Sequence, residues 1–368
     1  MKKPRVDSGK NAGRSRKEHE RPQRNAVVQC SYRSRSQGHL KMSETLERTW
    51  LADAIIWDNH ACMPLRPDDS FLPQLERCRA AGQTVICLNV GYDVTRFDDN
   101  IRVLAHFRHF INRHPDRYIL INTVEDIVAA KRSGRLAVCF DLEGTRALND
   151  QLSMVEFFYG LGVKWMLMAY NLNNSVGGGC QDKDSGLTPF GRAVLDEMAR
   201  VGMVPCCSHT GWRTAMQVME HVAGPVIFSH SNCHAVHAHP RNIPDELIKA
   251  CAATGGVVGI NGDSAFLQPG TDLVPLMFRH IDHIVQLVGP NHVGLGLDYV
   301  YDMTELDQYF KAHPEYWPND TVAAPITFLE PERIPALADL MLEHGYPREA
   351  VLKIMGGNHL RVASAVWK

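Results

Sequence analysis

Beyond about residue 50 the chain repeats one pattern: a short apolar run, a polar loop, then a longer segment with apolar positions three and four residues apart. The short runs are Ala54–Trp57, Thr84–Val90, Leu136–Phe140, Trp165–Ala169, Met203–Cys207, Pro225–Phe228, Gly256–Ile260 and His292–Leu297, each bounded by turn residues. Continuous apolar runs of this length predict buried strands. Between them, Asn100–Asn112, Met154–Leu161, Phe190–Val201, Thr214–His221, Asp245–Ala253 and Pro275–Leu287 carry the one-sided stripe of an amphipathic helix. Eight alternating strand and helix units predict an α/β fold, a (β/α)8 TIM-like barrel with insertions; an open doubly wound sheet is the competing topology.

Of the 368 residues, 45% are hydrophobic and 22% charged, enough for a large core, which excludes disorder as the overall state. Ten cysteines without a CxxC pair are too dilute for a disulfide scaffold, so a reducing compartment is expected. No run approaches the roughly 20 apolar residues that span a bilayer, and no apolar signal segment opens the chain. A cytoplasmic protein with no membrane partner is therefore expected. The net charge of −2 conceals an asymmetry: residues 1–41 carry 12 Lys and Arg against 3 Asp and Glu, which leaves −11 on the remainder. Almost nothing apolar precedes Val27, so 1–41 is expected to be a disordered basic tail, dispensable for function, ahead of a single domain over 42–368; Met42 is an alternative start. Without aromatic interleaving for base stacking, no nucleic-acid partner is expected.

The residues that follow each run carry the chemistry. Asp58-Asn59-His60-Ala61-Cys62 follows the first, Asp141-Leu142-Glu143-Gly144 the third, Ser208-His209 the fifth, Ser229-His230-Ser231 the sixth and Asp298 the eighth. All strand C-termini of a barrel face one mouth, so five ends deliver imidazoles, carboxylates and a thiol to one bowl. That composition predicts a metal site. Imidazole, carboxylate and thiolate suit zinc, and one carboxylate can bridge two ions. Glu143 is suited to the bridging position, with His60 on one ion and His209 with His230 on the other, and a shared hydroxide as the nucleophile of a hydrolysis. Any single one of the 18 histidines has an ordinary structural reading; their shared placement at strand ends carries the metal hypothesis.

Gly186-Leu187-Thr188-Pro189-Phe190-Gly191, Cys207-Ser208-His209-Thr210, Pro225-Val226-Ile227-Phe228-Ser229-His230-Ser231 and Arg241-Asn242-Ile243-Pro244-Asp245, in that order, closely resemble the membrane (renal) dipeptidase family. Gly357-Asn358-His359-Leu360-Arg361-Val362 resembles the family's closing motif, so the resemblance runs from about Ala54 to the C-terminus. It implies a distorted barrel of the metal-dependent hydrolase superfamily, two zinc ions, and hydrolysis of dipeptides whose C-terminal residue is of either hand. By position, His60 and Glu143 would bind one zinc, and Glu143, His209 and His230 the other. Arg241 would hold the substrate carboxylate, as a planar bidentate donor does well. Asp298 would take a proton from the bridging water and pass it to the leaving amine. A homodimer is implied by family habit only.

Two positions depart from the family pattern. Its first motif reads His-x-Asp with the Asp as a ligand, whereas this chain has His60-Ala61-Cys62. Either the Cys62 thiolate ligates zinc, or Cys62 is a small buried apolar residue and only one ion is held firmly. Tyr170 stands where better-known members have a His at the scissile carbonyl; Tyr170-Asn171-Leu172-Asn173-Asn174 resembles a run found in bacterial relatives, which marks Tyr170 and Asn173 as substrate-binding candidates. Tyr170 either donates to a developing oxyanion or packs as an ordinary aromatic. Gly177-Gly178-Gly179-Cys180 reads as a flexible substrate loop, His237-Ala238-His239 as pocket rim, and Tyr301–Pro331 as an insertion covering the mouth. Two alternatives stay open: a related metallohydrolase acting on another small amide, a cyclic amide or a lactone, and a noncatalytic metal-binding protein. Arg241 favours a free carboxylate over the first, and Asp298 argues against the second.

Overall fold

The computed structural model describes residues 51–368 apart from 52, 269 and 319–325; the basic segment 1–41 lies outside the described residues. The strands are β1 (Trp57–Cys62), β2 (Val85–Tyr92), β3 (Tyr118–Leu120), β4 (Leu136–Glu143), β5 (Val163–Leu167), β6 (Val204–Cys206), β7 (Val258–Ile260), β8 (Val293–Leu295) and β9 (Tyr299–Val300). Seven pair in the order β6-β5-β4-β2-β1-β8-β7, all parallel. Between β6 and β7 the ring is bridged by Pro225–Phe228, through Cys206 to Ile227 and Phe228 to Val258. Each of the eight expected runs thus has a place in the barrel, the sixth as a bridged segment. Two short strands were not anticipated: β3 pairs with β4, and β9 with β1.

Side chains alternate across the barrel wall with period two. Val85, Cys87, Ala137, Cys139, Trp165, Leu167, Val204 and Cys206 share one apolar cluster inside the ring. Ile86, Leu88, Val138, Phe140, Met166 and Cys207 share the other, packed beneath helices such as Phe97–Arg113 and Leu273–Val288. Cys206 and Cys207 therefore face opposite ways. Local chemistry fixes the helix ends: Pro189–Val201 starts at Thr188, whose side chain accepts from Gly191 N–H, and stops at Gly202 with φ 96°.

Two strands run further than their apolar runs. β1 continues to Cys62 and β4 to Glu143, so Asp58, His60, Asp141 and Glu143 lie on the ladder and not in the loops after it. Polarity reads as a loop along the chain, yet at a barrel mouth the backbone keeps pairing while inward polar side chains build a site. β1 shifts register against β2 between Asp58 and Ala61, an irregularity of the kind that re-aims a side chain.

Gly259 on β7 and Gly296 after β8 both abut the carbonyl of Ser229: an added Cβ would lie 2.1 Å and 1.9 Å from that oxygen. This close approach seats the segment that ends in His230. Gly259→Ala should therefore destabilise the protein by about 2–3 kcal/mol, since the obstacle is backbone and not a rotatable side chain. A urea midpoint equal to that of the unaltered protein would show that this contact yields freely.

Candidate metal centre

Five strand ends converge. Glu143 Oε1, at the end of β4, lies 3.5 Å from His60 Nε2, 3.3 Å from His209 Nε2 and 3.2 Å from His230 Nε2. His209 and His230 bring their Nε2 atoms within 2.9 Å of each other. Beside them, Cys62 Sγ is 3.4 Å from both His60 Nε2 and Asp298 Oδ1, and Asp298 Oδ1 is 3.3 Å from His60 Nε2. Two ligand groups result, His60 with Glu143 and His230, and His60 with Cys62 and Asp298. All five expected ligands and Asp298 are thus brought together.

The ring nitrogens facing away from this cluster are held by other groups. His209 Nδ1 donates to Asn171 Oδ1 at 2.7 Å; that oxygen is the acceptor because Asn171 Nδ2 donates to the Tyr316 carbonyl. His60 Nδ1 lies 3.3 Å from Asp141 Oδ2, whose other oxygen accepts from Asn89. His230 Nδ1 lies 2.8 Å from Ser229 Oγ. Partners of this kind fix the ring and leave the other nitrogen's lone pair for an ion. Asp58 Oδ1 accepts from His60 N–H and Leu297 N–H, pinning the ends of β1 and β8 together. Asn261 Nδ2 donates to Asp298 Oδ2 at 2.8 Å, which leaves Oδ1 toward the cluster. His209, Asn171 and Asp298 have φ of 59°, 57° and 58°, left-handed backbone that His, Asn and Asp tolerate better than most residues with a Cβ.

Electrostatics favour a bound cation. Burial pushes the Glu143 carboxyl up to about 8 despite the opposing pull of His60. Its buried Oε1 has no hydrogen-bond donor. Burial, with the charges of Arg241 and His60, holds His209 well below the ordinary imidazole value, and burial with His60 does the same for His230, so both stay neutral ligands. Burial opposes a charge on His60 as well, but Asp141, Cys62 and Glu143 raise it well above the ordinary value. A buried carboxylate oxygen without a donor, surrounded by three imidazole nitrogens with a thiol and a second carboxylate beside them, is a donor set that fits a divalent ion.

Arg241 is buried, with Nη2 2.8 Å from His209 Nε2 and its guanidinium 5.2 Å over the Phe266 ring; its Nε has no acceptor. Tyr170 stacks on His209 with ring centroids 4.1 Å apart. Arg241, Tyr170, Glu143, His209, Cys62 and Asp298 all open onto a cavity of about 790 Å³, ample for a small molecule. His237 and His239 line it, and so does the insertion after β9, through the helix Met303–Ala312 and Trp317. Asn173 does not: its side chain donates to the Lys183 carbonyl and accepts from Gly179 N–H, bracing the neighbouring loop. The left-handed turn at Asn171 makes that residue, and not Asn173, the one beside His209. Nor is the glycine run a flexible substrate loop, because a Cβ on Gly179 would lie 2.2 Å from the Asn171 backbone; it is glycine so that two backbones can touch.

Asp141 was within reach of the sequence, two residues before Glu143 on one strand and so on one face. Asn171 and Asn261 carried no such signal, since their partners are distant in the chain.

Among the described residues no helix is long and apolar enough to cross a membrane. The chain is 30% identical over 231 residues to an uncharacterized dipeptidase of Schizosaccharomyces pombe, covering 58% of this chain and 55% of that protein. It is 29% identical over 264 residues to the dipeptidase verJ of Clonostachys rogersoniana, covering 70% of this chain and 62% of that protein. The chain thus spans under two thirds of the length of both relatives. The crystal structure of an amidohydrolase from Pseudomonas aeruginosa superposes with a TM-score of 0.80 at 29% identity, over 86% of this chain and 98% of that one. The sequence profile of the membrane dipeptidases (peptidase family M19) matches residues 76–309, and with the barrel and its strand-end cluster this places the chain in that family.

Proposed function

We propose that the protein is a zinc-dependent dipeptidase. The observation that carries this is the buried, donor-free Glu143 Oε1 amid three imidazole nitrogens, opening onto a cavity that also holds Arg241. His60, Glu143, His209 and His230 would hold the metal, with Cys62 completing a second zinc site. Bound zinc supplies Lewis acidity and an acidified water. Asp298 accepts a proton at Oδ1 and returns it to the departing amine. Arg241 fixes the substrate carboxylate, orienting the scissile bond over Glu143. Tyr170, whose ring stacks on His209, would donate its hydroxyl to the carbonyl oxygen. The family relatives named dipeptidases support this substrate class.

Arg241→Met tests the assignment. It should lower kcat/KM for free dipeptides by roughly 2–4 kcal/mol equivalent, as expected for a lost charged hydrogen-bond pair, and barely change it for C-terminal amides. Equal losses on both would make Arg241 structural and reopen the cyclic amide and lactone readings.

Cys62 decides the number of ions. Burial pushes its thiol well above the ordinary value, so a thiolate there needs a cation beside it. Cys62→Ser should lose close to one zinc per chain, because a hydroxyl is a poor ligand, while Cys62→Asp should bind two. An unchanged zinc count in the Ser variant would leave Cys62 a packing residue beside a single ion.

A further inference from the structure

The wall of the cavity beside His209 is a run of aromatic rings. Tyr170, stacked on His209, touches Tyr92 with centroids 5.2 Å apart, and Tyr92 meets Tyr309 edge-on at 5.2 Å. Tyr170 also meets Trp317 edge-on at 6.1 Å, and Trp317 meets Phe310 at 4.7 Å. All five rings line the cavity, with Leu306 among them. Tyr309, Phe310 and Leu306 come from the helix Met303–Ala312, none of whose residues is fully buried. An amphipathic helix normally sinks its apolar face into the core; this one turns part of that face to the cavity. The part of these rings that faces the cavity gains burial only when something apolar covers it.

The carboxylates on this side already have partners. Glu305 Oε2 accepts from Leu65 N–H at 3.0 Å and its other oxygen lies 3.7 Å from Arg66 Nη1, while Asp302 accepts from Arg66 at 3.0 Å. That pairing weakens the case for a charged group on the wall. Arg241 and the metal cluster account for the polar ends of a dipeptide, and the cavity extends past them along the rings.

We propose that the substrate is a dipeptide in which one residue carries a large apolar or aromatic side chain, laid along Tyr92, Tyr170, Tyr309, Phe310 and Trp317. This rests on the dipeptidase reading above. Covering these rings discriminates against a substrate that lacks the side chain, which for a hydrophobic pocket amounts to tenfold or more.

The test is kcat/KM of the zinc-loaded full chain for Gly-Gly, Gly-Phe, Phe-Gly, Gly-Glu and Glu-Gly. Either Gly-Phe or Phe-Gly should exceed Gly-Gly by at least about tenfold, with the Glu dipeptides no better than Gly-Gly. Phe310→Ala and Tyr309→Ala should shrink that preference at the favoured position, and Phe310→Leu should retain part of it, at melting temperatures close to that of the parent. Should an Ala variant fail to fold, the unaltered protein's own profile still decides. Hydrolysis of all five at similar efficiency overturns this inference and leaves the dipeptidase reading standing. Failure to hydrolyse any dipeptide overturns the dipeptidase reading, and the side-chain preference with it.

Discussion

Asp298→Asn should lower kcat for dipeptides by on the order of 10²-fold or more while the zinc content stays near that of the unaltered protein. The expectation follows from how the residue is held. Asn261 fixes Oδ2 at 2.8 Å, the backbone at φ 58° aims the side chain into the bowl, and Oδ1 remains beside His60. Burial disfavours its charge, yet the hydrogen bond from His60 and the charges of His60 and Arg241 keep it below the usual carboxylate range, so it is ionised and able to take up a proton. An asparagine keeps the shape and loses the ability to take a proton. Asp298 Oδ1 also lies within the group formed with His60 and Cys62, so the same variant separates two roles. If zinc falls in step with activity, Asp298 is chiefly a ligand; if zinc stays and kcat falls, it moves the proton.

The barrel was legible because its evidence is local. Each buried strand is a short apolar run, and each helix shows its stripe, so the units could be counted along the chain. The strands β1 and β4 were drawn too short, ending at Trp57 and Phe140, because hydropathy cannot distinguish a residue that leaves the sheet from one that points into a polar mouth. β3 escaped because Tyr118–Leu120 is too short to show alternation. His60, Glu143, His209, His230 and Asp298 were legible as a set because barrel topology carries strand ends to one place. What lay beyond the sequence was contact between distant segments: Asn171 holding His209 across 38 positions, Asn261 holding Asp298 across 37, and the aromatic wall assembled from β2, the loop after β5 and the insertion after β9. Asn173, a candidate by motif position, lies off the cavity lining, with its side chain bonded to Lys183 and Gly179.

The largest effect should come from removing the metal. Without a cation, Glu143 Oε1 stays buried and donor-free, and neither the neutral His209 and His230 nor Asp298 can acidify a water by itself. Lewis-acid assistance supplies several kcal/mol to such a reaction, so hydrolysis should fall by on the order of 10³-fold or more. The decisive measurement is therefore dipeptide hydrolysis and elemental zinc followed together, through dialysis against a chelator and then stepwise return of zinc. Activity should vanish as zinc leaves and return in proportion to the zinc bound; dipeptide hydrolysis that persists in zinc-free protein would contradict a metal centre built on His60, Glu143, His209 and His230.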